Sequence, residues 1–281
     1  MISLFMNQCG KVAGLIWVIL LAGSCLGAEP VGLVLDVQGK VNVNSGAQKS
    51  WVTLPVLSYL VADQDVILVE NSKMVATVHA AKSEYSFAGP ARLRVDQHDI
   101  TVIQGAMPSV RQLSADVVKA CSTLNPRFKR GGVVMRTLTP RLEPTDGTAV
   151  ISNQPTLLWR TTADSALLIV LRHGDGREIF RTQVTQPSGA VTPPMPLNWG
   201  EHYQWSVALA NDPNSKPLAS TSFYMVTQAI AKRLQAQQPS PDARRADHVL
   251  YALVLQEAGA VDEARRILDR VPEIEVLRNT K

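Results

Sequence analysis

Cysteine and aromatic residues are scarce in this sequence, and each shortage excludes a class of site. Of the three cysteines among 281 residues, Cys9 and Cys25 lie near the N-terminus. If the chain is cut after Ala28, Cys121 alone remains, so neither an internal disulfide nor a cysteine-built zinc site is available. Aromatic residues make up 5% of the chain, which leaves few rings for an exposed glycan-binding platform.

Local catalytic and metal-binding motifs are also lacking. The five histidines are isolated from one another in sequence: His79, His98, His173, His202 and His248. No His-Glu-x-x-His, Cys-x-x-Cys, phosphate-binding loop, dinucleotide loop or Gly-x-Ser-x-Gly turn occurs. His173 precedes Gly174-Asp175-Gly176, which is typical of a hairpin turn. We therefore predict no enzyme activity, no cofactor, and no catalytic, cofactor-binding or metal-binding residue.

The charge of the chain is nearly balanced. The formal net charge is +4 at neutral pH, spread over the whole length. Nucleic-acid-binding domains concentrate a larger basic excess on one face. Nucleic acid is therefore not among the predicted partners.

The longest apolar run lies at the N-terminus and predicts export. Lys11 precedes the run Val12 to Ala22, and small residues follow up to Ala28. This order is typical of a secretory signal, whereas a spanning helix needs about 20 apolar residues. We predict cleavage after Ala28 and a periplasmic or secreted chain. Two alternatives stay open: a lipoprotein anchored through Cys25, because Ala22-Gly23-Ser24-Cys25 loosely resembles a lipoprotein box, or an uncleaved membrane anchor.

Alternating apolar residues predict a β domain over residues 29–106. Its first strand alternates between an apolar and a polar face, and Gly39 marks a bend. The apolar face of this strand comprises Leu33, Leu35, Val37, Val41 and Val43. Short β-type runs separated by turn residues continue to Ile103. Such spacing favours an antiparallel sandwich or barrel.

A second β region is predicted over residues 139–227, after a linker (107–138) that contains a possible short helix at Ser114–Leu124. Leu157 and Trp159 share a face, and Ala166–Leu171 is an uninterrupted apolar run typical of a central sandwich strand. Trp159 and Trp205 are predicted to be core residues.

The C-terminal segment, residues 228–281, is predicted to be helical. Asp242 is expected to cap a helix that ends at Gly259, and Asp262–Val271 is expected to form the next helix. The apolar stripe of the first of these helices comprises Ala246, Val249, Leu250, Leu253 and Val254. Arg244 and Arg245 are expected on a solvated face, with an acidic partner as the alternative. Because one helical hairpin cannot bury its own stripe, it must dock on the sandwich or on a partner.

The first β region resembles the FecR-like domain, an envelope sensor module. The motifs that carry the resemblance are Gly32-x-Val34-x-x-Val37-x-Gly39-x-Val41-x-Val43, Asp65-x-Ile67 and Gly89-Pro90-Ala91-Arg92-Leu93-Arg94-Val95. Regulatory members of that family carry a cytoplasmic segment that restrains a sigma factor. Here residues 1–11 alone precede the apolar run. The resemblance therefore implies the periplasmic half of such a sensor.

The second region resembles a fibronectin type III or immunoglobulin-like domain. Its marks are Pro155-Thr156-Leu157-Leu158-Trp159, Gly174-Asp175-Gly176 and Leu197-x-x-Gly200-x-x-Tyr203-x-Trp205-x-Val207. The tail resembles one tetratricopeptide-type repeat, carried by Ala252, Leu255, Gly259, Ala264 and Leu268. The predicted fold is therefore mainly β, with a FecR-like domain, an immunoglobulin-like sandwich and a short C-terminal helical hairpin.

These resemblances imply an exported bacterial cell-envelope adaptor or sensor that contacts another envelope protein. One alternative is a module that binds peptidoglycan or polysaccharide, which Trp51 and Trp199 would support if both were exposed and close together. The others are a membrane-tethered regulator, with Cys25 lipidated or the signal uncleaved, and a hydrolase with a discontinuous site.

Overall fold

The computed structural model describes residues 30–45, 50–122, 140–212 and 216–271. The predicted signal, with Cys25 and Ala28, lies outside these residues, as does the second half of the predicted linker, residues 123–138. No helix within the described ranges is long and apolar enough to cross a membrane. The mainly β fold with C-terminal helices is confirmed.

The first β domain consists of two five-stranded antiparallel sheets packed face to face. Its strands are β1 (Pro30–Gln38), β2 (Val41–Ser45), β3 (Val52–Thr53), β4 (Tyr59–Val61), β5 (Gln64–Leu68), β6 (Lys73–Val78), β7 (Ser83–Ala88), β8 (Ala91–Val95), β9 (Ile100–Gln104) and β10 (Ser109–Gln112). Sheet 1 has the order β10-β7-β6-β1-β4 and sheet 2 the order β3-β2-β5-β8-β9. Aliphatic residues and Phe87 fill the space between them. β10 belongs to sheet 1 although it falls within the range predicted as linker.

The strand β1 is buried on both faces, so the predicted alternation of apolar and polar faces is wrong. A bulge between Val34 and Asp36 shifts the register of β1 against β6. Val34 and Val37 pack between the two sheets, whereas Leu33 and Leu35 pack against the helices. Asp36, predicted on a polar face, is buried. The second covering layer, which no local pattern reveals, is the reason for the difference.

The second β domain is an immunoglobulin-like sandwich. Its strands are β11 (Arg141–Glu143), β12 (Thr148–Val150), β13 (Leu157–Arg160), β14 (Leu167–His173), β15 (Glu178–Val184), β16 (Ser188–Val191), β17 (His202–Leu209) and β18 (Ala219–Met225). A three-stranded sheet (β11-β13-β16) packs on a five-stranded sheet (β12-β18-β17-β14-β15), in which β12 and β18 are parallel. The hydroxyl of Tyr203, at the start of β17, accepts a hydrogen bond from the Asn198 amide at 2.9 Å. This is the tyrosine corner of immunoglobulin-like domains. Trp159 and Trp205 are buried, as predicted.

In the part of the chain that the structure describes, four helices form a layer that contacts both β domains. They are α1 (Ala115–Ser122), α2 (Gln228–Ala236), α3 (Arg245–Glu257) and α4 (Val261–Leu268). Their apolar faces share one core with Leu33 and Leu35 of the first domain and with Ala149 and Val226 of the second. The apolar stripe of α3 therefore docks within the chain, on both β domains. The short helix predicted in the linker is present as α1.

Two details of the predicted helical hairpin differ from the structure. Arg244, and not Asp242, occupies the N-cap of α3, where no side chain bonds to the exposed amides. Arg244 and Arg245, predicted on a solvated face, pair with acidic residues of the first β domain. The predicted stop is confirmed: Gly259 follows α3 with a φ of 84°, a left-handed conformation that favours glycine.

Candidate binding surface

Four chain connections cross from one sheet to the other at the same end of the first β domain. They join β1 to β2, β5 to β6, β7 to β8 and β9 to β10, and we call this end the corner. The Val69 amide donates to the Lys40 carbonyl at 3.1 Å, and the Gly89 amide donates to the Ser72 carbonyl at 2.8 Å. These bonds hold the first three connections side by side.

Glycine allows the connections at the corner to approach closely. A Cβ atom on Gly89 would lie 2.0 Å from the Val69 carbonyl oxygen, and one on Gly105 would lie 2.8 Å from the Pro90 carbonyl oxygen. Gly105 also has a φ of 113°, which side chains rarely adopt. The bend predicted at Gly39 is confirmed by its φ of 75°. Glycine therefore makes the corner a tightly packed, continuous surface.

Large apolar side chains are exposed along this surface. We name them the corner strip: Val69, Pro90, Ile103, Met107 and Val110. Apart from Pro90, which is also exposed, they are between 41% and 83% exposed, with Met107 at the upper limit. The four residues other than Pro90 make up half of the eight large hydrophobic residues that are exposed in the described part of the chain. Contiguous exposed apolar residues rimmed by polar ones mark interaction sites on soluble proteins.

The strands β9 and β10 present an unpaired edge beside the corner strip. β9 pairs with β8 and β10 pairs with β7, so residues 83–95 and 100–112 form one long hairpin that bends at the corner. Ile103 is the extra residue of a bulge, because Arg92 pairs with Gln104 and Leu93 pairs with Val102. Within the described residues no strand pairs with the outer side of β9 or β10. The bulge turns Ile103 outward, and β10 keeps a regular free edge.

The rim of the corner strip carries charges of both signs. Lys40, Glu70, Lys73 and Arg92 are all exposed there. Arg94 donates to Asp65 at 2.7 Å, and Arg92 contacts the same carboxylate at 3.4 Å. Ion pairs at a solvent-exposed surface contribute little to stability. The corner strip thus combines an apolar centre with a polar rim, which is the layout of protein interfaces.

His173, singled out in the sequence, lies at the β14–β15 hairpin as predicted. Its Nδ1 lies 3.1 Å from Asp175 Oδ1, and its Nε2 lies 3.3 Å from Glu201 Oε2. Because the two ring nitrogens contact separate carboxylates on opposite sides, the three groups do not converge on one point. Across residues 30–45, 50–122, 140–212 and 216–271, no group of three or more His, Cys, Asp or Glu residues is arranged to hold a metal ion.

The two tryptophans proposed for glycan binding differ in exposure. Trp51, next to the edge strand β3, is 42% exposed. Trp199 is half-buried and packs against the cores of the helices and the second sandwich. Of the four tryptophans in the described residues, Trp51 alone is a largely exposed ring. One ring does not make the stacking platform that this hypothesis requires.

Cys121 is a buried thiol in α1. Burial raises the pKa of Cys121 to about 12, against a smaller lowering by a hydrogen bond with Thr77. Since the thiolate is the reactive form, the native thiol is expected to stay unmodified near pH 8 and to react once the chain unfolds. Titration with Ellman's reagent, with and without denaturant, measures this, and C121A subtracts any thiol at Cys9 or Cys25. Rapid modification of Cys121 in the native protein would contradict it.

Comparisons with known proteins add little to this geometry. No protein-family model and no curated protein sequence matches the chain. Among solved structures, one match is the crystal structure of the chicken CNTN1 FN1-FN3 domains, at 11% identity and a TM-score of 0.21. The match covers 69% of this chain and 53% of that one, so this chain spans about half of its length. A likeness this weak carries no argument about function.

Proposed function

We propose that this chain is an exported, non-enzymatic adaptor of the bacterial cell envelope. In this proposal its first β domain is FecR-like and binds another envelope protein through the corner strip. The observation that carries the proposal is the exposure of Met107, Ile103 and their apolar neighbours on a glycine-packed corner. The FecR-like resemblance, which rests on Gly32, Gly39 and Gly89-Pro90, supports the envelope location.

The chemistry of the corner strip favours a protein partner over a glycan. Met107 offers a flexible, polarisable side chain that adapts to irregular apolar surfaces. Glycan sites need exposed aromatic rings, and the corner strip has none. The free edge of β10 adds backbone donors and acceptors that an extended segment of a partner can pair with.

The position of Pro30 argues against the membrane as the ligand of the corner strip. Gly32 pairs with Val78, Val78 with Ser83, and Ser83 with Gln112. The start of β1 therefore lies at the end of sheet 1 opposite the corner. If the chain were tethered through Cys25 or an uncleaved segment, the corner strip would be directed away from the bilayer. Tethering would thus change where the adaptor sits and not what it binds.

Substitution of Met107 by aspartate is expected to abolish partner capture without unfolding the chain. Burying a charge at the centre of an apolar interface, with loss of the methionine contacts, weakens affinity by about tenfold or more. Because Met107 is 83% exposed, the free energy of unfolding should change by less than about 0.5 kcal/mol. The measurement is site-specific photo-crosslinking at position 103 in a Gram-negative envelope fraction, comparing the wild type with M107D.

The matched control is Met195→Asp, because Met195 is another exposed methionine but lies in the second β domain. We expect one defined crosslinked protein with the wild type and M195D, and its loss with M107D. Equal crosslinking by M107D would place the interface elsewhere. Retention on purified peptidoglycan, or on anionic phospholipid vesicles, that depends on Met107 would replace the protein partner by a glycan or a membrane.

A further inference from the structure

Four charged side chains form a closed ring where the helix layer meets the first β domain. Arg111 of β10 donates to Glu84 of β7 at 2.5 Å and to Asp247 of α3 at 2.7 Å. Arg244, the N-cap residue of α3, donates to Glu84 at 2.8 Å and to Asp247 at 2.9 Å. Each carboxylate therefore lies between the two guanidinium groups. We call these residues the ion-pair ring.

The ion-pair ring contains a carboxylate that water barely reaches. Glu84 is 1% exposed, and two cations balance its charge. Burial tends to raise the pKa of Asp247, but hydrogen bonds from Arg244 and Arg111 outweigh it and hold the pKa below its ordinary value. Beside the ring, Arg245 lies 3.3 Å from the buried Asp36. Charge pairing is thus concentrated at one point of the contact.

Apart from the Arg245–Asp36 pair, the rest of this contact is mainly apolar. Leu33 and Leu35 of β1 meet a helix layer built mainly of alanine, valine and leucine. Apolar cores lose the uniqueness of their packing before they lose stability. At the other side of the helix layer, Asp262 of α4 accepts a hydrogen bond from the Thr145 amide at 2.6 Å. The second β domain is therefore held to the helix layer, whatever position that layer takes on sheet 1.

We propose that the ion-pair ring fixes one position of the helix layer on sheet 1. Through the Asp262–Thr145 contact it also fixes the orientation of the two β domains. Burying the Glu84 carboxylate costs its hydration, so the ring adds little net stability, although Arg111 and Arg244 stay about half exposed. What it adds is selection, since any other position of the helix layer breaks the Arg244–Glu84 and Arg111–Asp247 contacts and leaves the buried Glu84 with Arg111 alone. This inference does not depend on the proposed function.

The experiment compares loss of one partner with loss of the whole ring. E84Q and R244Q each leave a buried or half-buried charge unbalanced, so the melting temperature should fall by about 10 °C. The fourfold replacement E84M/R111L/R244L/D247L removes every charge of the ring, leaves the Arg245–Asp36 pair in place, and should melt within about 5 °C of the wild type. Small-angle X-ray scattering, together with hydrogen exchange of β1 and α3, then reports whether the helix layer keeps one position on sheet 1. The fourfold variant should show a wider distribution of dimensions and faster exchange in both segments.

The control is R181Q, which breaks a pair of equal geometry on the surface. Arg181 donates to Glu178 at 2.6 Å, but Glu178 is 37% exposed. Its melting temperature and scattering curve should match those of the wild type. If E84Q fails to fold, R244K serves instead, since a lysine reaches one carboxylate and should give an intermediate loss. A fourfold variant with the scattering and exchange of the wild type would overturn the proposal.

Discussion

Replacing Gly32 by alanine is expected to destabilise the first β domain by about 4 kcal/mol or more. A Cβ atom at this position would lie 1.9 Å from the backbone carbonyl oxygen of Thr77. That oxygen belongs to β6, which is held in the middle of sheet 1 and cannot move aside. The Leu33 amide also donates to the buried Thr77 hydroxyl at 3.0 Å, so separating the strands breaks a buried hydrogen bond as well.

The matched control for G32A is G147A. Gly147 has a φ of 70°, but a Cβ atom there would have no neighbouring atom within 4 Å, so alanine meets only backbone strain. We expect a loss of about 1 kcal/mol there. Urea unfolding followed by far-ultraviolet circular dichroism measures both variants. A G32A protein as stable as G147A would show that β1 and β6 do not pack as closely as described.

Replacing Asp262 by alanine is expected to reduce the free energy of unfolding by about 3 kcal/mol. The carboxylate is buried and accepts hydrogen bonds from the Thr145 amide at 2.6 Å and from its hydroxyl at 3.0 Å. Removing it leaves the half-buried Thr145 amide without this acceptor. It also removes a negative charge from the first turn of α4, where the helix dipole favours one.

Two further variants locate the effect of D262A. T145V keeps the hydrogen bond from the backbone amide to Asp262 and loses only the one from the hydroxyl. The free energy of unfolding should therefore fall by about 1 kcal/mol. D242A removes an exposed aspartate that makes no cap, and its unfolding free energy should stay within about 0.5 kcal/mol of the wild type. Urea unfolding monitored by tryptophan fluorescence reports all three. A D262A protein as stable as D242A would rule out a structural role for the Thr145 contact.

The sequence predicted those features that local patterns carry. Apolar alternation located most strands, and Gly39 and Gly259 marked a bend and a helix end because a left-handed backbone favours glycine. The aromatic residues Trp159 and Trp205 were correctly assigned to the core. The position of the helix layer on sheet 1 could not be predicted from the sequence, since Glu84 and Arg244 are 160 positions apart in the chain. A buried glutamate on a strand has no local signal when its partner lies so far along the chain.

The corner strip was missed for a related reason. Ile103 and Met107 look like ordinary core residues in sequence, and a register shift against β8 turns Ile103 outward. The glycines did hold a usable signal. Gly39, Gly89 and Gly105 each fall between a strand of one sheet and a strand of the other. Marking such positions on the sequence would have located the corner, although not the residues exposed on it.

The helix layer also decides when the first β domain can finish folding. Its strand β1 is among the earliest described parts of the chain, but the outer face of β1 is covered by α3, which comes near the end. In the proposed export, Leu33 and Leu35 emerge long before their covering does, and the half-built sheet stays open to water and to other chains. If the chain is exported in this way, folding would be completed only after translocation.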